Sequence, residues 1–165
     1  MKKILGTILT IIIFIQSCKK DKETTTSVDA DLYNEISSSS GYTYYVATPG
    51  ITAGVGNSPH GFERVRFNAI AQAALDGTGK LPAGAEFPDG SVIVKEIYPS
   101  ATGSINLYAV MKKAVGNSSS GNGYLWAEFN TDGSAAYSIA KKGDACISCH
   151  SQTGNRDLVR TFELH

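Results

Sequence analysis

Cysteine and methionine are scarce in this chain, and no charge of one sign prevails. There are three cysteines, two methionines, one tryptophan and three histidines among 165 residues, and 15 basic side chains balance 15 acidic ones. Such a balance, with no basic stripe, argues against a nucleic-acid binder. No apolar run reaches the length of about 20 residues that a comfortable membrane span needs. No internal repeat is visible. At 42% hydrophobic and 18% charged residues the chain is not disordered throughout, and its length suits one domain with a single core.

The apolar run that is present opens the chain. Lys2 and Lys3 form a positive n-region, and Ile4 to Ile15 is apolar but for Gly6, Thr7 and Thr10. That pattern is an export signal. It ends in "IQSC", a small residue before cysteine, which resembles a bacterial lipoprotein signal. Residues 1–17 are therefore expected to be the signal peptide. Residues 18–30 would be a lipidated Cys18 with a flexible polar tether, "KKDKETTTSVDA", and 31–165 the folded domain. The protein is expected to be an exported bacterial lipoprotein, on the periplasmic side or anchored in the outer membrane. Removing Lys2 and Lys3 leaves 13 basic and 15 acidic side chains, a net charge of about −2. An odd cysteine count is awkward in an exported protein. Lipidation of Cys18 resolves it and leaves Cys146 and Cys149 as a pair.

The folded part reads as α+β, mainly β. A short helix is predicted over Ala30–Ser37 with Asp29 as its N-cap, and a strand over Tyr42–Thr48. Ser58 and Pro59 suit a helix start. Phe62, Val65, Ala69, Ile70 and Ala73 then recur at helical spacing up to Gly77, which predicts one long helix. Strands follow over Ser91–Tyr98 and through "SINLYAVMKKAV", where Ile105, Leu107, Ala109 and Met111 share a face. Two more, "YLWAEFN" and "SAAYSIAKK", flank the tight turn "TDG". Short polar connections favour an antiparallel sheet. The segment after Asp144 reads as irregular or a short helix, with a candidate final strand in "LVRTFEL". The expected architecture is an antiparallel sheet with one long and one or two short helices.

Within "KKGDACISCHSQ", Cys146, Cys149 and His150 form C-x-x-C-H, the attachment pattern of a c-type haem. Two thiols one turn apart can bond the two vinyl groups on one porphyrin edge, and the adjacent histidine can reach the iron as proximal ligand. Other uses of the motif fit less well. Zinc needs about four ligands, and only His60 and His165 are left to complete a set. A thioredoxin-like centre should open a helix early in a βαβ unit, whereas this motif lies near the end of a β-rich chain. The remaining alternative is a haem-free lipoprotein with a Cys146–Cys149 disulfide. A small electron carrier usually has a Met or His as sixth ligand. Met111 reads as strand core, and His60 and His165 as surface residues. An iron with an open distal side is therefore expected, with a simple periplasmic electron-transfer cytochrome as the alternative.

"FPDGSVIVKEIY", "YAVMKK", "GYLWAEF" and "ACISCHSQTGNRDLVRTF" occur in an order and spacing that resemble the cytochrome P460 family, which includes cytochrome c′-β. "HGFERVRFNAIAQAAL" is similar to its preceding helix, and the resemblance spans about His60 to Phe162. It implies an antiparallel sheet holding one covalently bound haem c, attached through Cys146 and Cys149 and ligated by His150. It also implies a small nitrogen ligand, hydroxylamine or nitric oxide, a redox partner protein and a homodimer. Whether the chain is a hydroxylamine or nitric oxide oxidoreductase stays open. Cytochromes P460 carry a lysine–haem link; cytochromes c′-β lack it. Lys80 and Lys95 are the candidates for that lysine, and Lys95 shares a strand face with Ile93 and Ile97. Phe67 and Phe87 are candidates for an apolar distal wall, and Glu96 and Glu128 for a distal proton acceptor. Arg156 and Asp157 are candidates for pairing or for a propionate contact, and Lys141 and Lys142 for docking an acidic partner.

Overall fold

A computed structural model of the chain describes residues 25–47, 49–54 and 58–164. The expected signal peptide, Cys18, Thr48 and His165 lie outside the described residues. The first element is helix α1, Ser27–Ile36. Thr26, not Asp29, is its N-cap, and Asp29 closes a capping box as the third helical residue. The Asp29 carboxylate also accepts from the Ser138 hydroxyl at 2.8 Å and the Ile139 N–H at 2.9 Å, tying α1 to the far end of the chain.

The strands are β1 (Tyr42–Tyr44), β2 (Thr52–Ala53), β3 (Phe62–Asn68), β4 (Val92–Tyr98), β5 (Leu107–Lys113), β6 (Tyr124–Asn130) and β7 (Ala135–Tyr137). Among the described residues these seven form one antiparallel sheet in the order β1-β3-β4-β5-β6-β7, with β2 also pairing with β3. The mainly β antiparallel architecture is thus as expected from the sequence.

The long helix is not. Phe62–Asn68 is strand, and only Ala69–Ala73 is helical, as α2. The deciding residues are Val65 and Phe67, both buried on the same side of the sheet. Positions two apart share a face in a strand and oppose each other on a helix. Arg66, between them, points the other way to an ion pair with Glu96. Ile70, counted on the expected helical face, is 45% exposed. Asn68 makes the switch: its Oδ1 accepts from Ala71 N and Val92 N, and its Nδ2 donates to the Gly90 carbonyl.

The C-terminal segment holds a 3₁₀ turn, Ile139–Lys141, and two one-turn helices, α3 (Ile147–His150) and α4 (Thr161–Leu164). The final strand expected in "LVRTFEL" is instead a tight turn closed by Arg156 and Val159, followed by α4. Each face of the sheet packs its own core. One face meets α1 through Leu32 and Ile36, with Val92, Val94, Val110, Ala127 and Phe129 beneath. The other lies under the C-terminal segment, where the rings of Phe67, Phe87 and Phe162 stack at 6.0–6.4 Å between centroids.

Candidate haem site

Strand registry builds the floor of the site. Val65, Lys95, Ala109 and Glu128 form one cross-strand row, and Phe67, Ile93, Met111 and Trp126 the next. Because the side-chain period is two, all eight point to the same side of the sheet. The C-terminal segment closes over them. Between the two lies a cavity lined by Val65, Ile93, Met111 and Trp126 below and by Cys146, His150 and Arg160 above. An adjoining cavity shares His60, Lys95, Glu128, Cys146, His150 and Arg160 with the first and adds Cys149.

The C-x-x-C-H segment is held by its own backbone and by Trp126. Cys146 N and Ile147 N donate to the Gly143 carbonyl, and His150 N to that of Cys146. Gly143 has φ +75°, and a Cβ there would lie 2.5 Å from the Trp126 indole, so the chain reverses against that ring only as glycine. Trp126 donates to the Gly121 carbonyl and meets the His150 ring edge-on at 5.0 Å. Asn155 donates to the His150 carbonyl, and Arg160 to the carbonyl and Sγ of Cys149.

His150 has the geometry of a ligand. Its Nδ1 lies 2.7 Å from the Leu158 carbonyl. A carbonyl only accepts, so Nδ1 carries the proton and Nε2 keeps its lone pair. Burial lowers the His150 pKa to about 4, opposed by the Leu158 bond and reinforced by Lys95 and Arg160, so the ring is neutral near pH 7. Cys146 and Cys149 are both free thiols. Burial, with help from Glu128, pushes the Cys146 thiol up to about 11. Reactive redox thiols are shifted the opposite way. Among the described residues no group of three or more His, Cys, Asp or Glu side chains is placed to hold a metal ion.

The other candidates sort by face. Lys95 lines both cavities, and its Nζ lies 2.8 Å from Glu63, which is 1% exposed. Burial lowers the Lys95 pKa and Glu63 opposes the shift. Glu128 also lines both, and burial raises its pKa. Glu96, next to Lys95 in the chain, points to the opposite side of the sheet. It pairs there with Arg66 at 2.8 Å and accepts from Tyr98 at 2.7 Å and Tyr44 at 3.2 Å. A proton acceptor for the cavity cannot be drawn from that face, so this expectation is corrected. Lys80 follows α2 in a loop, where its N–H donates to Asp76; it is not among the lining residues. Phe67 and Phe87 belong to the stacked aromatic core beside the cavity and do not line it.

Asp157 is not turned toward the cavity either; it binds Lys113, Tyr124 and the Phe87 N–H, while Arg156 donates to the Leu81 carbonyl. Lys141 and Lys142 are exposed in a turn, Lys141 lying 5.4 Å over the Tyr137 ring. The structure adds residues that sequence reasoning missed. His60, read as a surface residue, lines both cavities 3.9 Å from Glu128. Burial, with Lys95 adding to it, lowers its pKa to about 4. Met111 and Arg160 line the cavity as well. Reading β3 as a strand would have put Glu63 on the Val65 face, beside Lys95.

A family model for cytochrome P460 matches residues 42–161. The chain belongs to the cytochrome P460 family. No curated protein sequence matches it. The matched span holds every strand of the sheet and the whole C-x-x-C-H segment of this P460-family chain. The family implies a haem, and the residues present fit one: a largely apolar cavity beneath the C-x-x-C-H segment, two unpaired thiols one turn apart, and a neutral imidazole with one nitrogen already engaged.

Proposed function

We propose that this protein is a c-type cytochrome of the P460 type with an open distal site that binds or redox-converts hydroxylamine or nitric oxide. Cys146 and Cys149 would attach the haem and His150 would ligate its iron. When bound, the haem would supply a redox-active iron with a coordination position for a small nitrogen species. The observation that carries the reading is the His150–Leu158 bond. It fixes the tautomer a ligand needs, in the way that partners of metal-bound histidines do.

The protein's own groups divide the remaining work. Val65, Ile93, Met111 and Trp126 give the cavity its apolar lining. Glu128, which lines the cavity and whose pKa burial raises, would accept a proton from a bound nitrogen species. Lys95 is the amine on the cavity face and thus the candidate for a lysine link, in preference to Lys80. In ferrous protein, carbon monoxide and nitric oxide should each change the absorption spectrum. An unchanged spectrum would sink the open-site reading. A strongly red-shifted Soret band that returns to ordinary c-type position in Lys95→Met, but not in Lys80→Met, would place the protein with the hydroxylamine oxidisers. An ordinary band in the wild type would favour gas binding.

One observation favours a second reading. His60 and Met111 both line the cavity, so either side chain offers a sixth ligand, which would make the protein an electron carrier. Failure of ferrous protein to bind carbon monoxide, reversed in His60→Ala or Met111→Ala, would support it. Among the described residues no helix is long and apolar enough to cross a membrane. The proposed attachment is the lipid on Cys18, so Cys18→Ala should move the protein from the membrane fraction to the soluble one.

A further inference from the structure

The turn after the C-x-x-C-H segment is built against its local preferences. Arg156 and Val159 exchange two backbone hydrogen bonds, 3.2 and 2.9 Å, closing a two-residue turn. Its central residues, Asp157 and Leu158, have φ of +46° and +67°. Turns that need positive φ twice in succession usually take Asn-Gly or Asp-Gly. A leucine there is strained, and such strain persists only where its surroundings over-determine it.

Asp157 is what over-determines it. Both of its carboxylate oxygens lie 2.9 Å from Lys113 Nζ, and Lys113 is 4% exposed on β5. Oδ2 also accepts from the Tyr124 hydroxyl at 2.7 Å and the Phe87 N–H at 2.7 Å. Strand β5, strand β6 and the loop before β4 thus grip one side chain. The next residue in the chain is Leu158, whose carbonyl meets His150 Nδ1. The bond that defines the histidine is therefore made by a strained residue whose neighbour is anchored to the sheet.

We propose that Asp157 is a positioning residue: it holds the Asp157–Leu158 turn so that the Leu158 carbonyl accepts a hydrogen bond from His150 Nδ1–H, and thereby sets how strongly His150 donates to iron. This rests on His150 being the iron ligand. A firm bond at Nδ1–H gives the imidazole more imidazolate character and makes it a better donor. Loosening the turn weakens that donation while leaving both cysteines in place.

The test uses holoprotein, with resonance Raman of the ferrous iron–histidine stretch and the reduction potential as readouts, beside thermal unfolding and intact mass. Asp157→Ala should shift the stretch to lower frequency and raise the potential. Asp157→Asn retains acceptors for Tyr124 and Phe87 and should recover part of both shifts. Tyr124→Phe removes one hold and keeps the ring in the core, so it should give a smaller shift in the same direction even if Asp157→Ala fails to fold. Variants that lose thermal stability with the stretch and potential at wild-type values would overturn the proposal, because the network would then be structural only. Wild-type protein without covalent haem would instead refute the haem reading, an outcome that intact mass separates from the first.

Discussion

The two faces of the sheet each bury an ion pair, and the pairs differ in what surrounds them. On the helix face Glu96 has Arg66 at 2.8 Å and the hydroxyls of Tyr98 and Tyr44, while Arg66 donates also to the carbonyls of Ile36 and Ser38. Hydrogen bonds and charge are used up within the protein, and the cluster locks α1 to the sheet. On the cavity face Lys95 has Glu63, and around that pair stand His60, Glu128, Arg160 and His150, all bordering open volume. Polar groups that look into a cavity are the ones with chemistry left to do. Lys95 and Glu96 are consecutive residues, so the division between the helix face and the cavity face falls within a single dipeptide.

Substitutions on the two faces should separate stability from function. Arg66→Met leaves Glu96 buried without its cation, which costs about 3–5 kcal/mol. Urea unfolding should show this loss, while the absorption spectrum of the folded fraction stays that of wild type. A loss below about 1 kcal/mol would break the comparison.

Asp29→Ala removes a capping box and two ties to the 3₁₀ turn, for about 1–3 kcal/mol. Its effect depends on pH. Burial alone would raise the Asp29 pKa, but the N–H groups of Thr26 and Ile139 and the hydroxyls of Thr26 and Ser138 outweigh it and bring it below the ordinary 3.8. A depressed carboxylate contributes stability that is complete above the unfolded value and lost as pH falls through the folded one. Wild type should therefore lose stability below about pH 4 more steeply than Asp29→Ala does, by chemical denaturation across a pH series.

Glu128→Gln, on the cavity face, should have the smallest effect on stability, under about 1 kcal/mol. Hydroxylamine turnover, if the protein supports it, should fall about 100-fold. A large loss of stability with turnover unaltered would put Glu128 in the structural class with Glu96.

Much of this was legible in the chain. The hairpin around "TDG" and the strands of "SVIVKEIY" and "LYAVMKK" follow from turn residues and alternation, and the spacing of C-x-x-C-H marks the candidate haem site. The misread helix shows where local pattern fails. Phe62, Val65, Ala69, Ile70 and Ala73 satisfy a helical period, but the sheet supplies partners for Glu63, Val65, Arg66 and Phe67 that only a strand can meet. That error hid more of the site. With β3 unseen, Glu63 had no reason to face Lys95, and His60 appeared to be a surface residue at a helix start. The partners of Arg160 and Asp157 were illegible for another cause: Cys149 for one and Lys113 and Tyr124 for the other lie 11 to 44 residues away. The choice between Lys95 and Glu96 was available in principle, since a strand permits only one of two neighbours to face a cavity.

The most direct test of the account is the intact mass of protein produced with a c-type maturation system, read beside its pyridine haemochrome. The account predicts a mass increased by one haem that survives denaturation and is lost when Cys146 and Cys149 are both replaced by alanine. A mass without haem, two hydrogens below that of the free-thiol chain, would show a Cys146–Cys149 disulfide and contradict it.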